Sequence, residues 1–277
     1  MSAHASARTS WMPILPQLDN DHVTRILLTL TLFAAANFII FTPAWIMDSR
    51  ILDSASVWTK PQKFNVSFVV HFGALALLAQ QLPRKVRAGK AMTVAAYLAA
   101  VSVVFEYIYL NTQAARGRRS HFNYDSVFEQ AMYAGMGVAA VGLIAVCLVL
   151  AVQLWRKGER TRSRGLWLGT IVGMSLGFFA TLYFGFTMSA TSRYVGSALT
   201  GGGEVVPFFG WSREYGDLRP AHFVSMHLMQ TIPLAGWIAD RRGWNAKLVV
   251  FGVTAAQIAL ATFLYVQAQS GQPFWPI

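Results

Sequence analysis

The chain has 277 residues, 55% hydrophobic and 13% charged, with 23 Lys and Arg against 12 Asp and Glu. A soluble domain of this size carries roughly a quarter charged residues, so a water-soluble globule is excluded. The net charge of +11 does not point to nucleic acid, because the cations sit in short loops between apolar blocks, where they orient helices, and no basic helix or aromatic platform accompanies them.

In chain order, Met1–Asn20 reads as a polar tail without the short apolar core and small-residue cleavage site of a removable signal peptide. The first apolar block, Val23–Met47, then reads as a retained signal-anchor helix. Further spans are expected at Gln62–Leu82, Ala91–Leu110, Ser126–Leu154, Gly165–Met188, Arg219–Ala239 and Ala246–Gln269, each near the ~20 residues a membrane helix needs. The longest connector, Ser189–Leu218, holds Gly201-Gly202-Gly203 and an aromatic set, Phe208, Phe209, Trp211 and Tyr215. Connectors this long are commonly functional, and the glycine run suggests a lid. Residues 271–277 form a short aromatic tail. The single cysteine, Cys147, lies inside an apolar block and reads as a small core residue.

These blocks predict an all-α, polytopic bundle of about seven transmembrane helices, with residues 23–270 as one membrane domain. The loops after the second, fourth and sixth helices are short and basic, which makes them cytoplasmic. The amino terminus is then cytoplasmic and the carboxy terminus outside, as in a multi-pass protein of the inner (plasma) membrane. Arg116, Arg118 and Arg119 conflict with this rule, since they fall outside. Binding an anionic group is one task that would place them there.

The same alternation puts polar residues in the outer half of the bundle. His71 and His227 each lie eight residues past an outer-end cation, Lys63 and Arg219, about 12 Å deep at 1.5 Å per residue. Glu106 and Glu129 lie about 7 and 6 Å deep by the same rise. Ser67 shares a helical face with His71, and Gln230 with His227. His222 and His227, five apart, do not form a same-face pair. Each residue alone is accounted for by an interhelical hydrogen bond, worth about 0.6–2 kcal/mol in a membrane, and Glu129 by helix initiation. Ionisable side chains converging from four helices point instead to a functional site.

Three stretches, WTKPQKFNVSF from Trp58, RGRRSHFN from Arg116 and GDLRPAHFVSMHLMQ from Gly216, resemble a group of bacterial multi-pass membrane proteins with which no activity is associated. Ser67 and His71 are also similar to the SxxxH element of the seven-helix alkaline ceramidases and adiponectin receptors, a resemblance that implies zinc held by three histidines. The chain departs from that pattern: its later histidines read HxxxxH, on the sixth helix rather than the last, and their site faces the cytoplasm.

Three functions compete. In the favoured one, His71 and His227 are axial ligands of haem b, or hold another redox metal, with Arg116, Arg118, Arg119 or Arg219 pairing the propionates. In the second, His71, His227 and His222 or Glu106 hold zinc in a hydrolase, with Glu106 or Glu129 as general base. In the third, Glu106, Glu129 and the histidines form a metal-free proton relay or substrate site of a transporter or signalling protein, with the Gly201–Gly203 loop as its lid, while Ser67, His121 and Gln230 are further polar residues of which Ser67 and Gln230 read as structural. The expected partners are the lipid bilayer and a lipid or quinone-like small molecule, not nucleic acid.

Overall fold

The structure, a computed structural model, describes residues 18–158, 164–196 and 203–275. The tail before residue 18, the middle of the basic Arg156–Arg164 loop, Gly201 and Gly202 of the expected lid, and the last two residues lie outside the described residues. The fold is 74% helix and 4% strand.

Helix α1 (His22–Met47) is capped by Asp21, whose carboxylate accepts the Thr24 N–H at 3.0 Å. A two-residue hairpin follows, β1 (Ile51–Leu52) and β2 (Ala55–Ser56), turning through Asp53 and Ser54 at positive φ. Then come α2 (Thr59–Leu78), a short α3 (Arg84–Arg87), α4 (Lys90–Ala115), α5 (Val127–Lys157) and α6 (Arg164–Ala190). The long connector contains β3 (Tyr194–Val195), which pairs with β4 (Gly216–Asp217). The chain ends with α7 (Arg219–Met226), α8 (Leu228–Arg242) and α9 (Ala246–Gln269).

Among the described residues, six helices are long and apolar enough to cross a membrane: α1, α2 with its 3₁₀ extension, α4, α5, α6 and α9. Leu32, Ile39, Val101, Val138, Leu248 and Phe263 all face outward. Such a belt suits lipid and would be an aggregation liability in water. The chain is therefore a multi-pass helical membrane protein.

The expected sixth helix is not continuous. It divides at His227 into α7 and α8. The Val224 carbonyl, which an unbroken helix would pair with the Leu228 N–H, accepts from Gln257 Nε2 of α9 at 2.9 Å. After the break, the Gln230 N–H reaches His227 O only three residues back, at 3.1 Å. Helix α4 also runs to Ala115 rather than Leu110, and α2 starts at Thr59 rather than Gln62. Both shifts change the depths of the site residues.

Side-chain bonds mark the two ends of the bundle. At one end, Asp240 of α8 accepts the Gly165 and Leu166 N–H groups of α6 at 2.8 and 2.9 Å. Arg87, 1% exposed, donates to Asp21 at 2.6 Å, to Asp19 and to Leu82 O. Burial pushes the Asp21 carboxyl up, but the bonds from Thr24 and Arg87 prevail and hold it below the usual range. Removing one partner of such a buried pair costs about 3–5 kcal/mol. Arg87→Ala is accordingly expected to lower the unfolding temperature of the detergent-solubilised protein by several degrees; an unchanged midpoint would show that the pair holds nothing together.

The α6–α8 seam is closer than ordinary side chains allow. Gly165, Gly169, Gly173 and Gly177 line one face of α6. A Cβ on Gly169 would lie 2.6 Å from Ile232 O, and one on Gly173 2.6 Å from Leu228 O. Gly165 and Gly236 meet backbone to backbone. Small residues four apart let membrane helices approach in this way. The seam fixes α8, and with it Gln230, against the bundle.

Candidate functional site

The first part of the site is a chain of polar side chains through the core. His71 of α2 is 8% exposed. Its Nε2 faces the Cys147 Sγ of α5 at 3.8 Å, and its Nδ1 faces the Gln230 Nε2 at 3.5 Å. The Gln230 Oε1 in turn faces the His227 Nδ1 at 3.4 Å. One amide thus joins the two rings, donating to His71 and accepting from His227. The arrangement is compatible with His227 protonated on Nδ1 and a neutral His71 protonated on Nε2. Phe223 packs edge-on to His227 at 4.2 Å, and Phe72 to His71 at 5.1 Å. His227 occupies the break between α7 and α8.

The second part lies toward the other end of α2. Lys60 and Lys63, three apart in its first turns, share a face. Lys60 stands within Coulombic reach of Glu106, Arg193, Lys63 and Arg219, and it makes no hydrogen bond or ion pair among the described residues. Lys63 donates to Phe209 O at 3.0 Å. Glu106 of α4, 2% exposed, has its Oε2 shut off without a hydrogen-bond partner. Tyr194 holds the rim: the guanidinium carbons of Arg193 and Arg219 lie 4.8 and 5.1 Å from its ring centre.

The carboxylates of the rim are committed. Asp53 at the hairpin tip binds Arg119 at 2.5 Å and Arg193 at 2.7 Å, tying three loops together. Burial pushes Asp53 up, yet the bonds from Arg119 and Arg193 outweigh it and hold the carboxyl below its usual range. Asp217 pairs with Arg219 at 2.6 Å and accepts the Ser212 N–H at 2.9 Å.

The expected outer layer is therefore corrected in membership and depth. From the observed helix ends, His71 lies about 18 Å, Glu106 about 14 Å and His227 about 12 Å along their helices. Glu129 sits in the first turn of α5 and drops out of the layer. It accepts from Tyr109, from Gln113 at 2.5 Å and from Arg116 at 3.2 Å, and pairs with Arg118 at 3.6 Å. It closes the α4–α5 corner, with both carboxylate oxygens engaged by these neighbours. Ser67 is exposed on the lipid side and does not share the His71 environment. His222 packs toward Gly185 of α6, with its Nδ1 unpartnered. His121 lies between Phe64 and Tyr133 and contacts the Ser120 hydroxyl at 3.2 Å. Burial, with the nearby Lys60 charge, holds the His121 ring well below the usual histidine pKa, so it is neutral at pH 7.

Arg116 and Arg118 meet Glu129, Arg119 meets Asp53 and Arg219 meets Asp217. These pairs explain how arginines collect at the end where the orientation rule does not expect them. Lys60, Lys63 and Arg193 were not among the expected site residues. The signal for the first two was available in TKPQK: two lysines in the first turn of an apolar helix.

No group of three or more His, Cys, Asp or Glu side chains that could hold a metal occurs among the described residues. The partners of His71 and His227 are instead the Gln230 amide, which spans the two rings, and Cys147 at the other His71 nitrogen. Two grooves of about 390 and 250 Å³ open on the surface, the first beside His22 and Tyr97, the second between Phe105 and Met132. Neither is lined by His71, His227 or Glu106. Comparison of the chain with protein-family profiles, with curated proteins and with solved structures finds no match.

Proposed function

We propose that the protein is a metal-free, proton-responsive transporter or signalling protein of the inner membrane, with seven crossings, its amino terminus in the cytoplasm and its carboxy terminus outside. The seventh crossing is the α7–α8 pair. It runs from the Arg219 rim to the Asp240 clamp at the opposite end. The observation that carries the reading is the Gln230 amide shared by His71 and His227.

The chemistry follows from that amide. Neutral His71 offers a lone pair at Nδ1, and the Gln230 NH₂ fills it. A proton arriving at His71 turns Nδ1 into a donor. Two donors then face each other, and the amide must rotate to present its oxygen. Rotation turns the NH₂ toward His227, whose Nδ1 then accepts once its proton has left and another has been taken up at Nε2, so the net change is the one proton gained at His71. One protonation at His71 is thereby coupled to a tautomer change at His227, on the break between two helices. The shared amide is an element with two arrangements that a proton biases, which is what a switch requires.

The test uses purified protein in liposomes with a trapped pH-sensitive dye and an imposed potential. His71→Ala and His227→Ala are each expected to lower proton entry toward that of protein-free liposomes. Absorption and metal analysis of the same preparation are expected to give neither a haem band nor stoichiometric zinc. A haem band lost in both variants would replace this reading with a redox protein.

A further inference from the structure

The cations around Lys60 exceed what the local carboxylates neutralise. Lys60, Lys63, Arg119, Arg193 and Arg219 gather against Asp53, Asp217 and Glu106. Asp53 and Asp217 are bound to the three arginines. Lys60 is left without a bonded partner, and Lys63 with only the Phe209 carbonyl. Both lysines are partly buried in the first turns of α2, where the helix N-terminus also favours negative charge. Uncompensated ammonium groups in such a place are costly. Glu106 supplies a second and independent observation: its carboxyl is 2% exposed, near Lys60, and has no hydrogen bond among the described residues.

We infer that Lys60 and Lys63 bind a small oxyanion, a carboxylate or phosphate, and that Glu106 takes up a proton as the anion enters. The first half is charge complementarity: an oxyanion supplies the acceptors that both ammonium groups lack. The second half is linkage. Lys60 is the ammonium near Glu106, and an opposite charge beside a carboxyl favours its ionised form. An anion screening Lys60 removes that support, while its own negative charge opposes the carboxylate, so both effects favour the protonated form. Coupling is reciprocal, and acidification that protonates Glu106 therefore tightens anion binding. The other ionisable groups around this pocket are Lys63 on α2, His121 in the α4–α5 loop, Arg193 in the α6–α7 connector and Arg219 on α7. Asp53 and Asp217 remain paired with arginine, which leaves Glu106 as the carboxyl available to take the proton.

This site deepens the proton-linked reading but does not need the His71–Gln230–His227 switch, and it is tested by binding alone. Inorganic phosphate and succinate are titrated calorimetrically into detergent-solubilised protein at pH 7, in two buffers of different ionisation enthalpy. The expected result is saturable binding of at least one anion; with succinate, a dianion at pH 7, binding is accompanied by net proton uptake, whereas phosphate, which itself titrates near pH 7, reports binding only. Lys60→Gln is expected to weaken binding at least tenfold. Glu106→Gln is expected to keep binding and abolish the proton uptake. No binding of either anion up to about 10 mM would overturn the site. Succinate binding without proton uptake, or uptake that persists in Glu106→Gln, would overturn the coupling. Proton flux lost in the histidine variants with anion binding intact separates the two readings.

Discussion

Gly173→Leu is expected to leave little folded protein. A Cβ at this position lies 2.6 Å from Leu228 O and 2.9 Å from Pro233 Cδ. Neither atom ends a flexible side chain, so relief requires α8 to move as a unit. Overpacking in a well-packed core costs about 1–3 kcal/mol and occasionally more. The remaining leucine atoms add to a clash that the Cβ alone already creates. Helix propensity works the other way, since leucine is favoured over glycine by up to about 1 kcal/mol, so a loss isolates the packing effect. Gly137→Leu and Gly252→Leu are the controls, because nothing lies within 4 Å of an added Cβ at either position. Size-exclusion profiles and unfolding midpoints in detergent read the result. A stable Gly173→Leu protein matching the controls would mean that the seam is not closed as described.

Gln230→Leu is expected to reduce proton entry at least tenfold while leaving most of the fold intact. Leucine keeps the bulk but removes both bonds of the shared amide, at 3.5 and 3.4 Å. A buried polar group left without a partner costs about 1–3 kcal/mol, and a 1.4 kcal/mol change in a barrier is a factor of ten in rate. The larger effect falls on the coupling, since no remaining group senses the His71 proton and reports it to His227. His222→Ala is a matched control: it removes a histidine of the same helix region that packs on Gly185 rather than joining the chain. Equal loss of flux in the two variants would point to general damage instead of the amide.

Much of the architecture was legible because the bilayer imposes a length and a hydropathy on every crossing. Six of the seven expected apolar spans became continuous long helices. The break at His227 was not legible, because the contact that accompanies it comes from Gln257, thirty residues away, which takes the Val224 carbonyl. His71 and His227 were singled out from spacing, whereas Gln230 was read as structural; the structure puts the Gln230 amide between the two rings. The depth of Glu106 was misjudged because α4 continues five residues past Leu110, across the polar run Asn111–Gln113 that suggested a loop. Glu129 looked like a site residue, but Tyr109, Gln113 and Arg116 occupy it, contacts no spacing rule reports. The glycines at 165, 169, 173 and 177 were readable as a close-packing stripe from their four-residue repeat, yet histidines and carboxylates drew the sequence argument elsewhere.

Proton entry into liposomes carrying the wild-type chain, under an imposed inside-negative potential, tests the proton-responsive reading most directly. The predicted result is acidification well above protein-free liposomes, abolished by Gln230→Leu and retained in His222→Ala. Wild-type liposomes indistinguishable from protein-free ones, or flux untouched by Gln230→Leu, would contradict it.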